Sequence, residues 1–201
     1  MTDAKDIDGL LQEIRSCALC EDRFSQTETA HSPRPVYQWG RGAKILIVGQ
    51  APGARVHASG RPFTDPSGDR LRSWMGVDEG VFYNPNKVSI LPMAFCFPGY
   101  DVRGSDLPPP KLCAHTWRDK LMEMVGPFPL ILTIGGYAHR YHLGHKRRVS
   151  EVVADWRRFA PNVFPLPHPS WRNTAWLKKN TWFERDVLPA LQARVMEVLH
   201  G

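Results

Sequence analysis

The stretch Lys44-Ile45-Leu46-Ile47-Val48-Gly49-Gln50-Ala51-Pro52-Gly53 decides the fold. A short aliphatic run stops abruptly at Gly, Pro and Gly, which is the pattern of a buried strand handing over to a loop. The runs Lys87–Leu91, Leu130–Gly135 and Val163–Leu166 repeat that pattern, together with the run Lys44–Gly49 itself. Apolar character that is continuous rather than alternating means that both faces of a strand are covered, as in parallel sheets. Between these runs, apolar residues recur at helical spacing in Ile7–Arg15, Gly68–Met75, Pro110–Met124, Ala138–Leu143, Val149–Arg157 and Trp182–Leu199. The alternation predicts an α/β protein, a three-layer αβα sandwich around a central, mostly parallel four-stranded sheet. Ligands of such sheets collect where strands end at their carboxyl side. Two unusual loops fall there: Gly49–Gly53 after the first strand and Pro167–Asn173 after the last.

Composition narrows the class. With 201 residues, 42% of them hydrophobic and 23% charged, the chain has the makings of one buried core and is read as a single domain over residues 1–201. That balance excludes a disordered protein. No apolar run approaches the roughly 20 residues that cross a bilayer, and the acidic, amphipathic start MTDAKDIDGLLQEI is unlike a secretion signal, so a cytoplasmic protein without a membrane partner is expected. A net charge of +6 favours a polyanionic partner. Between Tyr137 and Lys179, Arg140, Lys146, Arg147, Arg148, Arg157, Arg158, Arg172, Lys178 and Lys179 face only Glu151 and Asp155. Arg157 and Arg158 equally suit a solvated helix face, whereas Lys146–Arg148 sits in a glycine-marked loop.

Four cysteines complete the inventory. Cys17 and Cys20 form a C-x-x-C pair, and Cys96 and Cys113 lie far downstream on either side of a Gly/Pro-rich stretch. In a reducing compartment such a set binds metal or catalyses more often than it forms disulfides. Four thiolates suit zinc and an iron–sulfur cluster alike, and four buried thiols are the plainer reading.

Taken in order, Gly49-Gln50-Ala51-Pro52-Gly53, then Gly60-Arg61-Pro62-Phe63, then Gly68 with Arg70-Leu71, resemble the first motif of the uracil-DNA glycosylases, most closely the iron–sulfur branch often called family four. His168-Pro169-Ser170-Trp171-Arg172-Asn173 resembles the second motif of that superfamily. The resemblance spans the chain from Cys17 to the C-terminal helix. It implies a 4Fe-4S cluster on Cys17, Cys20, Cys96 and Cys113, with structural zinc as the alternative, and a monomeric enzyme that works on uracil-containing DNA at the nucleoid.

Removing a base leaves an oxocarbenium-like sugar and a base anion, so the site must stabilise opposite charges a few ångströms apart. The base must also be flipped out of the helix, and stacking and edge hydrogen bonds offset that cost. The resemblance makes Phe63 the ring on which the flipped uracil stacks and His168 the donor to its O2 side. It makes Trp171 and Arg172 the segment that enters the vacated duplex, with Ser170 on phosphate and Asn173 and Arg147 on the same DNA surface. Gln50, Ala51 and Gly53 then hold the base and the attacking water. A core Phe63, and a Trp171 lying in one apolar surface with Trp176 and Trp182, are the plainer alternatives.

The chain departs from the pattern twice. Where the branch carries an acid in or after the first motif, this sequence reads Gln50, then Ala54, Arg55, Val56 and His57, which leaves Asp65, Asp69 or His57 to position water. Where an Asn would read the pyrimidine edge, Ser89-Ile90-Leu91-Pro92-Met93 offers none, so Asn84, the Phe63 neighbourhood or main-chain groups are left to read it. Two alternatives follow. One is a glycosylase for hypoxanthine or xanthine, and the other is a non-catalytic uracil-DNA binder.

Overall fold

The computed structural model describes residues 4–144 and 146–201. In chain order the helices are α1 (Ala4–Arg15), α2 (Glu21–Ser25), α3 (Ala54–Ser59), α4 (Pro66–Met75), α5 (Glu79–Phe82), α6 (Lys111–Cys113), α7 (Asp119–Val125), α8 (Gly135–Leu143), α9 (Val149–Ala154), α10 (Thr174–Lys179) and α11 (Leu188–His200). The strands are β1 (Ile45–Val48), β2 (Val88–Ile90), β3 (Leu130–Ile134) and β4 (Val163–Leu166). Each strand begins and ends within one residue of the run that the sequence predicts.

Two compact units divide the chain, which passes between them repeatedly. The first comprises residues 1–37, 51–62 and 92–127. In it, α1 turns Ile7, Leu10, Leu11 and Ile14 inward at helical spacing and packs on α7. A π turn, Ala114–Arg118, joins α6 to α7. The Tyr37 hydroxyl donates to the Leu11 carbonyl at 2.8 Å, and Arg34 donates to the carbonyls of His57 and Ala58 at 2.7 and 2.8 Å. These bonds tie three distant segments of the unit together.

The second unit, residues 38–50, 63–91 and 128–201, holds the whole sheet. Its four strands are all parallel, in the order β2-β1-β3-β4. That is an α/β sandwich. β1 and β2 are buried along their full length, as the unbroken apolar runs require. Helix α11 packs on α4 and reaches β3, whereas α8 and α9 pack on one another and on β3 and β4. Right-handed crossovers in this strand order put α4 and α8 on opposite faces. The core joins Ile45, Ile47, Leu130, Leu132 and Phe164 of the sheet to Leu71, Trp74, Phe183, Leu191 and Val195 of the helices. Among the described residues no helix is long and apolar enough to cross a membrane.

Short elements account for the differences from the sequence reading. The helices α2, α3, α5 and α10 span four to six residues each, too few for apolar periodicity to register. The expected helix Trp182–Leu199 opens instead as a π turn, Phe183–Val187, and becomes α-helical only at Leu188. Pro189 sits in the first turn of α11 and has no N–H to donate back into the preceding turn.

His139 on α8 is buried, and its Nε2 lies 3.0 Å from the Thr133 carbonyl. Burial lowers its pKa below the ordinary 6.5. Protonation is therefore easier in the unfolded chain, so the contribution of this group to stability is complete above pH ~6.5 and declines as pH falls from there toward the folded-state value. Thermal unfolding at pH 7.5 and 5.0 should show a loss of Tm on acidification, and His139→Gln should shrink that loss.

Candidate active site at the carboxyl edge of the sheet

In the order β2-β1-β3-β4 the direction of winding reverses between β1 and β3, and such a switch point is where open parallel sheets bind ligands. Val48 pairs with Thr133, and Ile134 with Leu166. Continued by one or two residues, these registers bring Gln50, Gly135 and Pro167 level with one another, so three loops leave the sheet side by side. Two are the loops that the sequence singles out. The third, which opens α8 at Gly135 and Gly136, is not.

Phe63 takes a left-handed backbone conformation, φ +53°, which a bulky residue adopts only when its surroundings enforce it. The enforcing contacts are visible. Its carbonyl oxygen accepts from the Tyr83 hydroxyl at 2.9 Å, with Arg72 donating to the same hydroxyl at 3.4 Å. The same carbonyl rests against Gly68 so closely that a Cβ there would overlap it. The half-buried ring meets Phe82 edge-on at 6.1 Å and lies within reach of a Cβ built on Gly49. Phe63 is thus a ring held over the end of β1, not a residue lost in the core.

The second loop is braced from within. The Ser170 N–H donates to His168 Nδ1 at 3.2 Å. With Nδ1 accepting in this way, the Nε2 atom is the one left to act as donor in a neutral ring. Asn173 Nδ2 donates to the His168 carbonyl at 2.7 Å. Asn173, expected on the DNA surface, is therefore turned toward the histidine. Ser170 accepts from the Arg172 N–H through Oγ. Its carbonyl accepts from Arg70 Nη1 of α4 at 2.9 Å, and Arg70 Nη2 also reaches Thr174 Oγ1 at 3.3 Å. A residue of the first motif thereby grips the second.

Trp171 is 74% exposed on the turn Trp171–Asn173, with the Arg172 guanidinium 6.0 Å from its ring. Trp176 and Trp182 instead pack edge-on with each other at 5.8 Å and against the core, so the three do not form one surface.

Other expected residues stand elsewhere. Gln50 is half-buried directly after β1. Asp65 precedes α4 and accepts from the Ser67 hydroxyl, and Asp69 is paired with Arg72. Asn84 lies in the turn that feeds the amino end of β2, with Oδ1 accepting from the Asn86 N–H, and the structure does not bring it to the carboxyl-edge loops. Arg147 is engaged by Asp155 at 2.6 Å and by Glu151 at 3.7 Å. Ala51, Gly53 and His57 belong to the first unit. There Gly53 caps α3, and the His57 ring stands edge-on to His31 at 5.0 Å, its pKa lowered by burial, by His31 and by Arg34. Long-range bonds, not local motifs, mark the residues that sequence reasoning passes over: Tyr83, Arg70 in its bracing role, and the opening of α8.

Within the first unit, Cys17, Cys20, Cys96 and Cys113 line one pocket, walled by Phe24, Pro33, Phe95, Pro110 and Trp117. Burial pushes the Cys96 thiol up to about 12 and the Cys113 thiol to about 11, and neighbouring thiols add to both shifts. Among the described residues no three His, Cys, Asp or Glu side chains converge closely enough to hold a single metal ion. The thiols share a pocket without closing on one point.

A family model described as Uracil DNA glycosylase superfamily matches residues 38–192, well over half of the chain.

The cradle under Phe63 makes a contrast testable. Gly68→Ala should cost about 1–3 kcal/mol by overpacking, read as a fall of several degrees in Tm by scanning fluorimetry. Gly53→Ala, whose Cβ meets no atom within 4 Å, should leave Tm in place.

Proposed function

The chain belongs to the uracil DNA glycosylase superfamily, and we propose on that premise that it flips uracil out of DNA and hydrolyses its N-glycosidic bond, leaving an abasic site. Membership makes it a DNA glycosylase that acts on damaged bases. One observation carries the finer reading: a ring held over the end of β1 and an imidazole whose Nδ1 accepts from the Ser170 N–H stand on loops that one arginine joins.

In this reading the flipped uracil stacks on Phe63. As the C1′–N1 bond breaks, its electron pair stays with the base, and the His168 Nε2–H donates to O2, where the negative charge gathers. Water then bonds to C1′, and the proton it sheds passes to the uracil anion, so that the products are an abasic sugar and neutral uracil. Gln50, half-buried at the switch point, holds that water. Asp65 already accepts from Ser67 and His57 stands edge-on to His31, so we place neither on the reacting atoms. Trp171 enters the stack that the base has left, and Arg172 and Ser170 meet the backbone beside it.

We place a 4Fe-4S cluster, with structural zinc as the alternative, on the four thiols that line the pocket of the first unit, a donor set that suits either. The cluster would be held by Cys17, Cys20, Cys96 and Cys113, and it would supply cross-linking of α1, the Cys96 loop and α6 within that unit.

Strand cleavage by alkali after incubation with oligonucleotides bearing uracil, hypoxanthine or xanthine tests the base. Cutting at uracil is expected. Cutting only at another base, or binding without cutting, would overturn the assignment. His168→Ala should lower kcat about 10²–10³-fold, the cost of removing one such donor, with Tm unchanged. Purified protein should be brown and carry about four irons per chain. Colourless protein with one zinc would reject the cluster.

A further inference from the structure

Helix α8 starts at Gly135, level with Gln50 and Pro167, so its first turns border the site. Its rotation about its own axis is fixed. Ala138 and His139 are buried, and the Nε2 of His139 meets the Thr133 carbonyl. The opposite face therefore turns outward, and it carries Tyr137, Arg140 and Tyr141 at i, i+3 and i+4. Tyr137 and Tyr141 are 38% and 37% exposed, among the few large apolar side chains that reach solvent. The Arg140 guanidinium stands 5.8 Å from the Tyr137 ring centre. Lys146 and Arg148 follow as exposed cations, and Glu151 is the first acid downstream.

Two rings and a guanidinium on one helix face, flanked by positive charge, present π-faces to a polyanion. Tyr137 to Tyr141 spans about 6 Å along the helix, room for one or two bases stacked at roughly 3.4 Å. In a duplex those base faces are already covered by their neighbours, whereas an unpaired strand offers them. We propose that the Tyr137–Arg140–Tyr141 face of α8 is a stacking platform for the single-stranded DNA that flanks the flipped nucleotide, and that it gives the enzyme a preference for unpaired over paired substrate. The proposal rests on the glycosylase reading above, since it places the platform beside that site.

The test uses the full chain and fluorescence anisotropy on a labelled oligonucleotide without uracil, single-stranded and as its duplex. In Tyr137→Ala/Tyr141→Ala, single-strand affinity should fall about tenfold or more, the loss of a stacked base, and the ratio of single-strand to duplex affinity should fall with it. The corresponding double Phe variant should restore both, because stacking needs the ring and not the hydroxyl. Equal losses on the two forms, or unchanged single-strand affinity, would overturn the platform. Because the probe holds no uracil, failure to excise uracil counts against the base-removal reading alone. Single Tyr→Ala variants repeat the measurement should the double variant prove unstable.

Discussion

The parallel pairing of β1 with β3 and of β3 with β4 is the constraint on which the site depends. Parallel strands bring like ends together, and a register without slip sets Gln50, Gly135 and Pro167 at one level. A one-residue slip of β4 would send Phe164 and Leu166 to the wrong face of the sheet and withdraw His168 by one residue rise. The register is locked because both faces are buried: Ile45, Ile47 and Leu132 on one face, and Leu46 and Val48 on the other, are at most 1% exposed. The apolar core thus fixes the placement of polar groups that it does not touch.

Strain and bracing work together around Phe63. A left-handed conformation costs a bulky residue of the order of 1–3 kcal/mol, and here it is over-determined by Tyr83 on its carbonyl and by Gly68 beneath it. The same helix, α4, then sends Arg70 across to the Ser170 carbonyl. Ring and imidazole consequently share a support, and any motion of the amino end of α4 is felt by both. That arrangement suits a reaction in which stacking and charge stabilisation must act on one base at once.

Much of this was legible in the sequence, and the part that was not has a common cause. Short aliphatic runs bounded by Gly and Pro located all four strands to within a residue, because a strand covered on both faces tolerates no polar interruption. The run before Pro167 placed the loop that carries His168, whereas the role expected of His168 came from the resemblance of residues 168–173 to the second motif. Tyr83 and Arg70 were not, since their partners lie 20 and 100 residues away and nothing local distinguishes them. Asn84 and Asn173 show the converse. An amide near a strand end looks available from sequence, yet Asn84 stands at the amino end of β2, and Asn173 is engaged by the His168 carbonyl. Which end of a strand a residue occupies, and which loop carbonyls need donors, are questions that only the assembled sheet answers.

The fate of the tryptophans follows from where each lies relative to that sheet. Trp176 and Trp182 fall where α10 and the turn into α11 close over Phe183, and the core absorbs them as ordinary apolar surface. Trp171 sits a few residues earlier, on a turn whose backbone is already satisfied by Ser170, so packing does not draw it inward. A lone exposed indole costs a folded protein little, and this one, 74% exposed beside a guanidinium, offers a flat apolar surface that a stacking partner would cover.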